Sequence, residues 1–315
     1  MATVHVHDSY TDLDAQEWDE LVGESSPFLE SAFLFGLEQT GCVTPETGWQ
    51  PRPVLVRDEN GLLVAAAPAW LKTHSLGEFV YDHGWAQAAR EHAIPYYPKL
   101  VVAVPFTPVT GRRLLIRAGE ERARWLPSLV HGVASAAREA RGIHVLFDTE
   151  AEAKALEQHG AFTRLQFQFH WHNRDYADYD AFLADFRSTA RKKMRRERRE
   201  VSDLRFERVL GPDAEQMDLL YRFYASTCDK YPWGGQYLNR AFFQHLASHW
   251  SHRVVGVFAM RGEEVIAGAL DVLKGDRLYG RYWGCDQEIK FLHFEVCYYQ
   301  GIELCIERGL SAFEP

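Results

Sequence analysis

Three stretches of this 315-residue chain carry titratable side chains spaced for chemistry. In Tyr81-Asp82-His83-Gly84-Trp85, two titratable groups stand between aromatic residues at the end of a β-type run. Asp82 is the candidate general base there, and an Asp-Gly-type turn with a satisfied histidine is the bland alternative. His293, Glu295, Tyr298, Tyr299 and Gln300 stand at an expected helix start, where Glu295, Tyr298/Tyr299 and Ile302 share one face. Helix starts attract anions. Glu295 and His293 are the better functional candidates, because polar groups gain little from burial unless paired. Between these lies 96–113, where Tyr96, Tyr97 and Lys99 lead into an apolar strand followed by Phe106, Thr107 and Gly111-Arg112-Arg113. Pro105 and Pro108 preclude a continuous central strand, so the sheet must open here. Arg112 and its neighbours could then seat a phosphate or carboxylate, or form an ordinary Pro-rich loop with solvated arginines.

These residue types suit acyl transfer to an amine. That reaction needs a neutral amine, a proton acceptor and hydrogen-bond donors for the tetrahedral oxyanion, with no covalent nucleophile. The absence of a Gly-x-Ser-x-Gly elbow or a persuasive Cys/His motif agrees with direct transfer.

Charge is distributed unevenly. The chain carries a net −9, yet residues 187–199 hold eight basic residues against one acid. Phe182, Phe186, Ala190 and Met194 recur every four residues as a buried stripe, leaving Arg191, Lys192, Arg195 and Arg198 on the other faces of a helix over 178–201. Such a face is either simply solvated or takes a phosphate-rich ligand such as tRNA, a nucleotide-linked precursor or an anionic lipid. Trp233, in the aromatic loop Tyr231-Pro232-Trp233-Gly234-Gly235, is a candidate pocket wall. No metal is expected: His245 and His249 have i, i+4 spacing but no evident third ligand, and His170 and His172 are no better placed. Five cysteines without a CxxC pair read as thiols of a reducing cytosol. The longest apolar run, Leu62 to Leu71, has ten residues where a membrane span needs ~20. With a polar N-terminus, this predicts a cytoplasmic protein.

A repeat supplies the elements that position these groups. Residues 54–72 and 255–274 each read as a strand, a Gly-containing turn and a second strand of small apolar residues. Aromatic runs follow at 78–82 and 277–284, then helices closed by Arg141-Gly142 and Arg308-Gly309, then strands. Helices are expected at 14–22, 28–40, 120–141, 150–159, 178–201, 213–230, 236–249 and 292–308. A further strand is expected at 162–171. Two units follow, at 1–174 and 175–315. Their order predicts a mixed α/β layer, and the lack of GxGxxG or GxxxxGK[ST] argues against dinucleotide and NTPase folds.

This order resembles the GNAT acyltransferase fold, and two copies in tandem resemble the FemAB-like transferases, which attach amino acids to peptidoglycan precursors. The similar segments are 45–51, 96–115 and 291–310, with Val104-Pro105-Phe106-Thr107-Pro108-Val109 similar to the Pro-Arg-Gly-Pro-Val strand end of Fem proteins. The resemblance implies tandem GNAT-like domains with an incomplete second copy, cut short after Phe313-Glu314. It also implies an N-acyltransferase passing an acyl or aminoacyl group directly to a small-molecule or peptide amine. Aminoacyl-tRNA or acyl-CoA would be the donor, with no tightly bound cofactor. Tyr282 and Trp283 would lie where GNAT folds place the acyl group. Tyr81, Trp85, Tyr96, Tyr97, Lys99, Phe106, Thr107, Arg112, Trp283 and Tyr299 would line a cleft between the halves. Acyl-CoA-dependent acetylation and a non-catalytic RNA-binding role for 187–199 are the alternatives.

Overall fold

The structure is a computed structural model that describes residues 2–230 and 235–315; Trp233 lies outside them. The chain folds as two compact units, Met1–Leu165 and Gln166–Pro315. The division falls before the expected 174/175 because β9 (Trp171–His172) pairs with the last strand of the second unit.

The first unit runs β1 (Thr3–Val6), α1 (Ala15–Val22), α2 (Ser31–Gln39), β2 (Trp49–Pro51), β3 (Val54–Arg57), β4 (Leu63–Ala67), β5 (Ala69–Lys72), α3 (His83–Glu91), β6 (Lys99–Val102), β7 (Leu115–Ile116), α4 (Arg122–Ala136), β8 (Ile143–Val145) and α5 (Glu150–Glu157). The apolar run 62–72 is two strands rather than one. Pro68 cannot donate to a ladder, so β4 joins the sheet β1-β3-β4-β7 and β5 joins β2-β5-β6-β8. The small residues Ala65 and Ala67 let α4 lay Trp125, Leu129 and Val133 onto the core they share with Val54 and Val56. Tyr10 stacks on Trp70 at 4.5 Å and gives its hydroxyl proton to the Ala69 carbonyl, while Trp18 donates to the Leu29 carbonyl. These bonds satisfy the polar tips of otherwise apolar residues.

The second unit continues with β9, α6 (Tyr179–Ala184), α7 (Ser188–Arg199), β10 (Arg205–Leu210), α8 (Ala214–Asp229), α9 (Arg240–His249), β11 (Val254–Arg261), β12 (Glu264–Lys274), β13 (Arg277–Cys285), α10 (Leu292–Phe294), a π turn (Glu295–Tyr299), α11 (Gln300–Arg308) and β14 (Ala312–Glu314). Its sheet has the order β10-β11-β12-β13-β14-β9. α8 starts one residue after its expected position and α9 four residues after. Asp213 and Gln216 form a reciprocal cap on α8, Asn239 caps α9, and Gly309 at φ 63° ends α11.

The duplication is visible in the pairing. In each unit an antiparallel hairpin, β3–β4 or β11–β12, precedes a strand that receives a parallel neighbour after a helix: β6 with β8 and β13 with β14. Parallel pairing requires such a crossover.

Four further expected elements differ. Residues 78–82 are not a strand, since Glu78 and Asp82 both turn inward to a buried lysine while Phe79 takes a left-handed φ of 57°. The next residues form α3, which the sequence did not suggest. Of 162–171, only Trp171 enters a ladder, because β14 presents Phe313 and Ala312 to Trp171 and His172. The helix expected over 178–201 breaks after Ala184, where Arg191 caps the freed carbonyls of Ala184 and Phe186, and Phe186 is left exposed rather than buried. In the first unit α4 stops at Ala136, ahead of Gly142. No helix among the described residues is long and apolar enough to cross a membrane.

Gly284 on β13 marks the tightest helix–sheet approach, for an added Cβ would lie 1.8 Å from the Phe223 carbonyl oxygen of α8. Gly284→Ala should therefore cost about 3 kcal/mol in urea unfolding. A loss below ~0.5 kcal/mol would mean that α8 withdraws freely from the strand.

Candidate functional site

In the first unit, Lys72 of β5 and Lys99 of β6 stand directly opposite each other, both wholly buried. Two ammonium groups across an antiparallel pair repel. The segment between the strands answers with two carboxylates. Lys99 Nζ donates to Ser75 Oγ at 2.8 Å, Glu78 Oε2 at 2.8 Å and Asp82 Oδ2 at 2.5 Å, using all three of its protons. Tyr96 donates to Asp82 Oδ2 at 2.8 Å, and the Tyr97 hydroxyl bonds Ser75 at 2.7 Å. Lys72 Nζ donates to the Leu76 carbonyl at 3.0 Å and lies 3.8 Å from the Trp49 ring centre.

The charges respond to this arrangement. Burial pushes the Lys72 ammonium down to about 7, with Glu78 opposing and Lys99 assisting. Burial raises Glu78 above the ordinary carboxyl range against the pull of Lys99. For Asp82 burial acts in the same direction, but bonds from Lys99, Ser75 and Tyr96 outweigh it and hold the carboxyl below its usual range. His144 is driven to about 4 by burial and by Lys99. Asp82 is thus arranged to stay ionised as an ion-pair partner rather than to accept a proton. Glu78 Oε1 and Asp82 Oδ1 are buried with no hydrogen-bond partner.

The other residues singled out in this half scatter. Tyr81 and Trp85 are exposed, Trp85 packing on Phe162 and under Arg164. Phe106 is buried against Trp49, and Thr107 closes a turn onto the Pro105 carbonyl. Arg112 lies on the surface. The expected anion seat after Gly111 exists, but the chain fills it itself: Arg113 and Leu114 N–H groups donate to the Glu152 carboxylate. The buried Arg113 guanidinium is spent on the Leu146 and Val109 carbonyls.

In the second unit, Arg198 of α7 forks onto Glu295 and Glu303, with Nη2 reaching Glu295 Oε1 at 2.8 Å and Nη1 reaching Glu303 Oε1 at 2.5 Å. Gln300 also donates to Glu295, and Tyr299 donates to the buried Glu197 at 2.5 Å. Glu295 is therefore an ion-pair partner too. A groove of about 610 Å³ beside this network is lined by Tyr179, Arg195, Arg198, Arg199, Glu303 and Glu307. Among the four cations singled out on this helix, Arg191 caps α6, Arg195 pairs with Asp180 and Arg198 is saturated. The solvent-facing stripe is instead Lys192, Arg196 and Arg199, at i, i+4, i+7.

His293 differs from the two carboxylates. Its ring centre lies 4.5 Å from that of Trp283 on β13 and 5.5 Å from that of Tyr298, partly open to solvent. Burial lowers its pKa, so the imidazole is neutral near pH 7 and free to accept a proton. Tyr282 points to the opposite face of the sheet, against Tyr224 and Phe243. The ladder between β12 and β13 shifts register at Leu270/Asp271, with Arg281 as the extra residue on β13. Asp271 lies fully buried beside this shift. A charged residue inside the apolar run of β12 was its only signal in the sequence. No group of three or more His, Cys, Asp or Glu among the described residues is arranged to hold a metal ion.

A family model described as FemAB-like, peptidoglycan biosynthesis/recognition, matches residues 9–315, across both units. The chain belongs to the FemAB-like family. FemX resembles it in structure with a TM-score of 0.52 and 12% identity, over 96% of this chain and 86% of that one. L-PGS from Bacillus licheniformis does so with a TM-score of 0.54 and 10% identity, over 96% and 75%. At such identities the likeness is one of fold: mixed α/β, with GNAT-like units in tandem. No curated protein matches the sequence.

The depressed Lys72 predicts a specific pH dependence. Its folded pKa of about 7 lies below the unfolded value, so the unfolded chain binds more protons between pH 7 and ~10.5. Stability should rise with pH across that window, by about 1 kcal/mol per unit. The rise should vanish in Lys72→Met, as urea unfolding at pH 7, 8 and 9 will test. An equal slope in both proteins would place the titration elsewhere.

Proposed function

We propose that this FemAB-like protein transfers an aminoacyl group from an ester donor, aminoacyl-tRNA, to the amine of a peptide-type acceptor, with His293 as the proton acceptor. The observation that carries the reading is the family match over residues 9–315. The role of His293 is supported by a neutral, partly open imidazole against Trp283 on the strand that carries the register shift.

The chemistry then runs in one displacement. The neutral acceptor amine attacks the ester carbonyl and forms a C–N bond, while the imidazole takes the proton the amine must lose. The tetrahedral intermediate expels the ester oxygen as the C–O bond breaks, and the imidazolium returns its proton to that oxygen. Trp283 and Tyr298 supply an apolar wall that excludes water from the acyl carbon. Asp82 and Glu295, tied to Lys99 and Arg198, keep the two units' polar frameworks in place. The stripe Lys192, Arg196 and Arg199 supports a nucleic-acid-linked donor, since it leaves three cations without an internal ion pair among the described residues.

Purified protein given aminoacyl-tRNA or acyl-CoA labelled in the acyl group, with a lysine-containing acceptor peptide, should label the peptide from the tRNA donor. Transfer from acyl-CoA alone would sink the aminoacyl reading. His293→Ala should lower kcat ~10²-fold and remove an acid limb of the pH profile that falls below the usual imidazole value of 6.5. An unchanged limb would put the base elsewhere.

Reversing Lys192, Arg196 and Arg199 to Glu should raise KM for the tRNA donor. It should also reduce the salt slope of its binding by about 2. A slope left as in the unaltered protein would separate this stripe from donor binding.

A further inference from the structure

Asp271 sits three residues before the end of β12 with 2% of its surface exposed, and its Oδ2 has no hydrogen-bond partner. It interrupts an otherwise apolar sheet face. On one side Ala267 and Ala269 pack with Leu292 and Val296; on the other Ile302 and Cys305 form a separate cluster with Leu273 against it. The groups turned toward Asp271 are Gly280, its partner across the ladder, and the thiols of Cys297 and Cys305 from the π turn and α11. None of them is a charge partner. Burial alone raises the carboxyl well above its ordinary range and so favours its protonated form, which is itself a donor.

A buried acid with nothing to bond costs stability, and such groups persist where they are used. Two irregularities converge on this one. The register shift of β12–β13 falls at Leu270/Asp271, and a π turn covers the same face at Glu295–Tyr299. β-Bulges and π turns both re-aim groups beside functional sites. Ala269 pairs with Trp283, so Asp271 lies two residues along the same face from the partner of Trp283, whose ring packs on His293. Position 280 is crowded as well: a Cβ there would stand 3.1 Å from the Pro315 Cα and 3.5 Å from Asp271 Oδ1, so only glycine leaves room beside the carboxyl.

We propose that Asp271 donates a hydrogen bond to the carbonyl oxygen of the acyl donor at the register shift of β12 and β13, polarising that carbonyl for attack. The inference rests on the transfer reading above and adds a residue to it. The ligand chemistry is a neutral carbonyl, as an ester, thioester or amide presents. A protonated carboxyl suits this task because it offers a donor without a charge. No proton leaves Asp271 in the step.

Asp271→Asn keeps a neutral donor of the same shape, Asp271→Leu removes it, and Asp271→Ala serves if the leucine variant does not fold. The leucine variant should melt a few degrees higher than the unaltered protein, since the unpaired acid is gone. It should nonetheless lose kcat ~10²-fold, whereas the asparagine variant stays within ~10-fold. A leucine or alanine variant that transfers as fast as the unaltered protein overturns the proposal. If the unaltered protein transfers from no donor, the functional reading fails by itself, and calorimetric binding of acetyl-CoA and of 3′-aminoacylamino-adenosine decides about Asp271. Binding by the unaltered and asparagine proteins, with ~10²-fold weaker binding after removal of the donor, supports the proposal. Equal binding by all variants, or none by the unaltered protein, overturns it.

Discussion

Lys99 spends its three protons on Ser75, Glu78 and Asp82 in a place where Lys72, directly across the strand pair, brings a second ammonium. Burying one such charge is expensive, and burying two facing each other is tolerable only if carboxylates come with them. That requirement shapes the first unit. It draws residues 75–82 inward and sets Tyr96 and Tyr97 against Asp82 and Ser75. It also makes the end of β5 and the start of β6 a polar island between apolar layers. The departures from regular structure around it, the left-handed Phe79 and the irregular approach to α3, are the means by which two carboxylates reach one nitrogen.

The second unit solves the same problem at its own polar island. Arg198 lies between Glu295 and Glu303, and Glu197 is closed by Tyr299. In both units an acid that looked catalytic in the sequence is bound to a cation, which suits it to hold structure and not to exchange protons. In the second unit a histidine without a charged partner is left chemically available, and Asp271 is among the groups left unsatisfied. A functional site is often where the rules of satisfaction are broken, and in this unit the break coincides with the register shift.

Much of the fold was legible before any coordinates. The hairpins over 54–72 and 255–274, the start of α8 and the Gly309 stop all follow from local chemistry acting within a few residues. Legibility failed where distant partners overrule local preference. The aromatic run of 78–82 reads as a strand, but Lys99 reaches it from seventeen positions away. The pattern of 162–171 likewise lacks a ladder partner over most of its length among the described residues. The cationic helix was visible as composition, yet which of its cations face solvent depended on Asp180, Glu295 and Glu303, two of them more than ninety residues distant.

The sequence alone determined the order of elements, their duplication and the residue types from which a site can be made, because periodicity, turn chemistry and caps are short-range properties. The tertiary structure decided which of those residues are spent. Asp82, Glu295, Arg113 and Arg198 are consumed by buried pairings, while His293 stays open beside Trp283 and Asp271 is left with a bond to make. The reason is physical: whether an ionisable group can do chemistry depends on its desolvation and on its partners. Both are properties of what the fold brings within hydrogen-bond reach, and no spacing along the chain encodes them.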